Sequence, residues 1–413
     1  MSIDVDAGPI VFDPYDYAFQ EDPYPVYRRC RDEDPLHHNV EHDFWVLTRH
    51  ADVQHAVRTE GVYSNAMGVS IDKSAWGPDA HKVMSFLGMD PPRQKRLRSL
   101  VSKGFTPRRV TELAPRIEQL TDHYLTQCLE QGSFDWITDF AGRLPMDVIS
   151  EMMGVPEADR VEVRRLADLV VHREPGVHDV PRAGMEASLD LVVYYADMVE
   201  QRRKQPTDDL TSALLAARLE DGHSDGDRLT DEEIIAFLFL MVVAGNETTT
   251  KLLGHALFHL TRHPEQYEQV FADPTQPDDL VVPWIEETLR YDTSSQMLAR
   301  HLLQDVELHG KVAPAGSKLV IVLGSANRDD RVFSDPDRYD IFRDKDEVAQ
   351  LLSFGGGRHF CLGANLARLE AQIALREVVR RVGRVEVDHD ACQRVHSINV
   401  RGFASMPVTM AVR

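Results

Sequence analysis

The chain has 413 residues, 43% of them apolar, and a formal net charge of −21. That balance argues for a sizeable core and against nucleic acid or an anionic membrane as the main partner. The four cysteines, Cys30, Cys128, Cys361 and Cys392, form no CxxC pair and no zinc-type Cys/His cluster, a usage that fits a reducing cytoplasm. No basic-then-apolar leader occupies Met1 to Ile10, and no run approaches about 20 uninterrupted apolar residues. A membrane anchor is therefore not expected.

Residues 11–30 mix prolines with aromatics and then turn helical. Phe44-Trp45-Val46-Leu47 predicts a short strand, followed by a helix from Ala51 to Arg58. Residues 61–90 hold no steady period and read as a long, partly ordered loop, a feature often tied to function. Helices are predicted from Arg93 to about Gly104, Pro107 to Gln131 and Phe140 to Met153. Another helical stretch runs over 157–203, interrupted near Arg173-Glu174-Pro175-Gly176, and Gln205 to Arg228 reads as an acidic surface connection.

The longest periodic segment spans 229–262. Thr230 and Glu233 stand at capping-box spacing, and the run from Ile235 to Gly245 is nearly all apolar, which predicts a helix buried through the middle of a domain. Shorter helices follow at Pro264–Phe271 and Pro283–Tyr291. Strands are predicted at 303–309 and 317–323, with alternation again from Val395 to Val412. The expected fold is mainly α with minor β, a single domain over 1–413.

One segment runs against the overall charge. Seven basic residues and no acid lie between Pro91 and Thr111: Arg93, Lys95, Arg96, Arg98, Lys103, Arg108 and Arg109. Such a strip is a solvated face, a docking site for an acidic protein, or a clamp for anionic groups of a cofactor.

The chemistry concentrates in Phe354-Gly355-Gly356-Gly357-Arg358-His359-Phe360-Cys361-Leu362-Gly363. One cysteine sits in a glycine-rich loop just before an amphipathic stretch, Ala364 to Arg381. A helix N-terminus favours a thiolate, and glycines let backbone N–H groups approach the sulfur. In the long apolar helix, Ala244-Gly245-Asn246-Glu247-Thr248-Thr249 places an acid beside a hydroxyl, which is costly in apolar surroundings without partners. Glu287 and Arg290 stand three apart on one helix face.

Together these motifs closely resemble the cytochrome P450 family, in its order and spacing, over about Asp22 to Met410. The resemblance implies a triangular haem domain of the soluble bacterial class, located in the cytoplasm. It implies haem b with Cys361 as the axial ligand, framed by Phe354, Gly355 and Gly363, with Arg98, Arg300 and His359 for the haem propionates. Gln94 stands where the family commonly has a histidine. Ala244 and Gly245 match the oxygen-binding segment, with Thr248 stabilising reduced oxygen and Glu247 delivering protons. Glu287 and Arg290 match a structural ion-pair network whose third member would be Arg338.

The implied activity is hydroxylation or epoxidation of a hydrophobic small molecule such as a lipid, fatty acid, terpenoid or steroid. No GxGxxG run follows a strand, so electrons are expected from a ferredoxin or flavodoxin with an NAD(P)H-dependent reductase. The expected pocket combines loop 66–90, the helices around 166–200, Phe237, Met241, Ala244, Ser294–Ala299 and Ser397–Val400. A haem-thiolate gas sensor or carrier is the rival reading. It would show no NADH-driven turnover.

Overall fold

A computed structural model describes residues 8–219 and 228–413. Its centre is the helix Asp231–Thr261, with Thr230 and Glu233 forming a reciprocal capping box at its start. By length and composition this helix could cross a membrane. It is instead packed among other helices, and it carries Glu247 and Lys251 inside the protein. Burial of most of its surface, with part of its apolar middle facing the cavity, explains why its sequence shows no polar stripe.

Helices Arg143–Met153, Arg160–Val171 and Arg182–Lys204 pack against it from one side, and Asp278–Tyr291 and Ala364–Arg381 from the other. A five-stranded sheet runs Leu36–Asn39, Phe44–Leu47, Lys318–Val322, Met297–Leu302, Tyr63–Ser64. Its pairs are antiparallel except Phe44–Leu47 with Lys318–Val322. A smaller sheet joins Ser133–Asp135, Pro407–Val412 and Val382–Val387. The mainly helical prediction holds.

Several boundaries differ. The predicted 107–131 helix breaks at Leu113 into Pro107–Glu112 and Ala114–Gln131. The helix ending at Tyr291 begins at Asp278 and carries Pro283 inside it. The proline forfeits one backbone donor, while burial of Val281, Trp284 and Ile285 holds the turn around it. The 205–228 connection contains a helix, Leu210–Ala216, seated by buried Leu210 and Leu214; residues 220–227 of that connection lie outside the described residues.

The predicted strand at 303–309 shortens to Val306–Leu308, and a strand the sequence did not announce, Met297–Leu302, precedes it. Arg300 lies within Met297–Leu302 and pairs with Leu319. Charged Arg300 and His301 mask the strand in the sequence, yet Arg300 is buried.

Candidate active site

The cysteine loop is held from behind by a chain of hydrogen bonds. Arg290 donates from Nε and Nη2 to the two carboxylate oxygens of Glu287, each at 2.7 Å, and from Nη1 to the Asn327 carbonyl at 3.0 Å. Asn327 in turn donates from Nδ2 to Ser353 Oγ at 2.8 Å, and its Oδ1 accepts the Leu352 N–H at 2.7 Å. Ser353 Oγ donates to the Leu289 carbonyl at 2.6 Å. The ion pair thus reaches the residue before Phe354 through a single asparagine.

The third member of the network is Arg343, not Arg338. Arg343 Nε lies 3.1 Å from Glu287 Oε2 and its Nη1 lies 2.9 Å from Glu347. Arg338 is exposed and contributes only its carbonyl, which accepts from Arg290 and Arg343. The Pro336–Arg338 turn presents main chain inward, so the nearest arginine in sequence is not the one that pairs.

Gly355 and Gly357 adopt φ of +67° and +59°. A Cβ at Gly357 would stand 2.5 Å from the Val57 carbonyl, so the loop turns tightly against the His50–Arg58 helix. The Cys361 N–H donates to the Phe354 carbonyl at 3.0 Å, closing the loop on itself. The helix Ala364–Arg381 begins three residues later. Burial raises the Cys361 thiol, while N–H groups of Gly363 and Ala364 and the Arg98 and Arg368 guanidiniums oppose that rise.

Cys361 opens onto a cavity also lined by Ala244, Gly245 and Thr248 from the central helix and by Phe354, Gly355, Gly363, His359 and Arg300. Most of the lining is apolar, with Leu240, Met241, Leu298 and Phe105 among it. Gly245 leaves room beside Ile149, whose Cγ1 would be 3.4 Å from an added Cβ. Thr248 Oγ1 donates to the Ala244 carbonyl at 2.9 Å.

One rim is strongly basic. Arg98 Nη2 donates to the Phe360 carbonyl at 2.6 Å, while its buried Nη1 has no partner. Arg300 is buried, its Nη1 donates to its neighbour's carbonyl, and burial lowers it to about 10 despite Asp90. Burial, Arg300, Arg98 and Arg358 lower His359 to about 3, and its buried Nδ1 has no partner. Cationic donors converging with unsatisfied atoms on one edge of an apolar slot fit a flat cofactor bearing two carboxylates, as haem does. Gln94 donates to the Arg358 carbonyl at 2.9 Å and so braces this loop.

Glu247 and Arg98 do not line the cavity. Glu247 points away, buried, with Lys251 Nζ 3.1 Å from its Oε2. Lys251 also donates to the Phe403 carbonyl at 3.1 Å. Phe237, expected in the pocket, is packed in the core against Phe86 at 6.2 Å between ring centroids. Among the described residues, the 166–200 helices and 397–400 do not line the cavity either; Ser295 bridges to Val400, which stands behind it. No local pattern in the sequence pairs Asn327 or Asp168 with partners so distant in the chain, whereas Lys251 stands four residues from Glu247, a helical spacing that could have marked the pair.

The Cytochrome P450 family model matches residues 182–409. Cytochrome P450 123 of Mycobacterium tuberculosis is 54% identical over 100% of both chains. This chain belongs to the cytochrome P450 family. The vitamin D(3) 25-hydroxylase of Pseudonocardia autotrophica is 37% identical, covering 97% of each chain. The solved structure of CYP109E1 from Bacillus megaterium in complex with testosterone superposes with a TM-score of 0.85 at 29% identity, covering 95% of this chain and 98% of that one. As a bacterial cytochrome P450, the protein is a monooxygenase that works with haem iron, dioxygen and a redox partner.

Proposed function

We propose that this cytochrome P450 holds haem b through Cys361 and hydroxylates or epoxidises a hydrophobic small molecule of the lipid, fatty acid, terpenoid or steroid type. The observation that carries the reading is the convergence of Cys361, Arg300, His359 and the Gly245–Thr248 wall on one apolar cavity, with Arg98 bonded to the Phe360 carbonyl of the same loop. The hydroxylase and the testosterone complex among its relatives support a lipophilic, polycyclic substrate over a charged one.

Haem supplies the oxygen chemistry, which thiolate ligation favours. The residues of the chain supply the rest. Cys361 Sγ accepts from the Gly363 and Ala364 N–H groups, which stabilise negative charge on sulfur. Arg98, Arg300 and His359 would hold the propionates and fix the cofactor's rotation. Thr248 Oγ1 can exchange its bond to the Ala244 carbonyl for one toward the cavity, and Glu247 returns protons to that hydroxyl. The apolar lining excludes water and selects a greasy substrate. Electrons would come from a ferredoxin or flavodoxin with its NAD(P)H-dependent reductase.

Titrating the purified ferric protein with fatty acids, steroids, terpenoids and macrolides tests the substrate class. A tight high-spin absorption shift with steroids or other lipids is expected. A shift confined to polar, charged ligands would overturn the assignment.

A further inference from the structure

The buried acid of the central helix is one half of a carboxyl pair. Glu247 hydrogen-bonds through its side chain to Asp168, on the neighbouring helix Arg160–Val171. Two carboxyl groups in hydrogen-bond contact share a proton, because both cannot ionise together. Their surroundings decide which one carries it. Lys251 Nζ stands 3.1 Å from Glu247 Oε2, whereas the nearest cation to Asp168 is Arg164, whose Nε is 4.0 Å from it. The stronger pairing leaves the charge on Glu247 and the proton on Asp168.

The two differ as much in access. The Glu247 side chain is 5% exposed and that of Asp168 is 49% exposed. Asp168 therefore stands between water and the buried acid. Lys251 is anchored on the far side by the Phe403 carbonyl, and Gly402 leaves it space, since an added Cβ there would come within 2.5 Å of Lys251 Cβ. The cation is thus positioned to bias the pair.

We propose that Asp168 is the solvent-side member of this pair and passes protons to Glu247, which forwards them to Thr248. In each step Asp168 gives its proton to Glu247, is left as carboxylate, and regains a proton from water. No oxidant or further reactant is needed. Asp168 acts through Glu247 and is a positioning and proton-supplying residue rather than one that touches the reacting atoms. The inference rests on Glu247 being the acid that serves the cavity.

The electrostatics agree with the geometry. Burial, then the charge and hydrogen bond of Glu247, push Asp168 up to about 8, against Arg164 and Lys251. Burial pushes Glu247 upward, but Lys251, the Asp168 hydrogen bond and Arg164 outweigh it and hold it below the ordinary carboxylate range. Near neutral pH the outer acid is loaded and the inner one is ready to receive.

Infrared difference titration of the ferric holoprotein from pH 5 to 10 tests the pair without turnover. The wild type should show a protonated carboxyl that titrates near pH 8. Asp168→Asn should abolish that component, and Glu370→Gln should leave it, which separates it from the other buried acid raised to about 8. The same variants are then assayed for NADPH oxidation with a plant-type ferredoxin and its reductase as probes. Asp168→Asn should slow oxidation about tenfold and remove the alkaline limb of the pH profile, and Asp168→Glu should restore both. An unchanged carboxyl titration in Asp168→Asn overturns the proposal. So does a slow Glu247→Gln beside an unimpaired Asp168→Asn, which leaves the role of Glu247 standing. An unimpaired Glu247→Gln overturns both.

Discussion

Asn327 is the joint between a buried ion pair and the cysteine loop. Its carbonyl accepts from Arg290, 3.0 Å away, and its side chain holds Ser353 and Leu352 at 2.8 and 2.7 Å. Glu287 fixes Arg290 on the other side with two bonds of 2.7 Å. The position of Cys361 thus depends on a carboxylate that never approaches the cavity.

Removing that carboxylate strands two cations. Arg290 is buried, and Arg343 also leans on Glu287. Glu287→Ala is expected to cost about 3–5 kcal/mol, the range for breaking a buried pair. Haem should be lost on purification. A folded variant with full haem content would contradict this. Asn327→Ala should give a milder version, with haem retained but released faster on dilution.

The basic rim predicts a graded loss of cofactor affinity. Each charge-assisted bond is worth about 1.5–3 kcal/mol, or roughly tenfold to a hundredfold in affinity. Arg98→Ala should weaken haem retention by that factor when transfer to apomyoglobin is followed. Arg98→Lys should recover part of it, because a single ammonium cannot reproduce the fork.

The basic strip divides in the fold. Arg96 pairs with Glu233 at 2.8 Å, Arg98 turns to the rim, and Arg108 pairs with Glu112 at 2.9 Å. Arg93, Lys95 and Arg109 remain exposed. Charge reversal at Arg93 and Lys95 should slow reduction by an acidic ferredoxin about tenfold at low salt, with the difference fading as salt rises. Substrate affinity should not change. Stopped-flow reduction at several ionic strengths measures both.

Two histidines tie stability to pH. His255 and His259 are buried beside Asp292, 3.5 and 3.0 Å from its Oδ2. Burial lowers them to about 3 and about 4, outweighing the attraction of Asp292. Between those values and about 6.5 the unfolded chain binds protons that the folded chain refuses, so stability falls as pH drops through that window. Each group contributes a slope of up to about 1.4 kcal/mol per pH unit. His255→Gln should narrow the difference in denaturant stability between pH 7 and pH 5 by about 2 kcal/mol.

The sequence made the helical frame and the cavity's chemical endpoints legible for a local reason. Thr230 and Glu233 announce a helix start within four residues, and the Phe354–Gly363 run carries its own turn chemistry. Partners chosen across the fold were not legible. Arg338 and Arg343 look alike in sequence, and only the Pro336 turn decides which side chain goes inward. Phe237 lies one helical turn from Met241, yet only Met241 reaches the cavity. The strand bearing Arg300 was hidden because its charge serves the basic rim rather than the core pattern.

The most direct test is the absorption spectrum of the dithionite-reduced, carbon-monoxide-bound protein beside that of Cys361→Ser. The wild type should show the thiolate-type haem band that defines the family, and the variant should lose it while keeping its helical circular dichroism. An unaltered band in Cys361→Ser, or a folded wild type that binds no haem, would contradict the account.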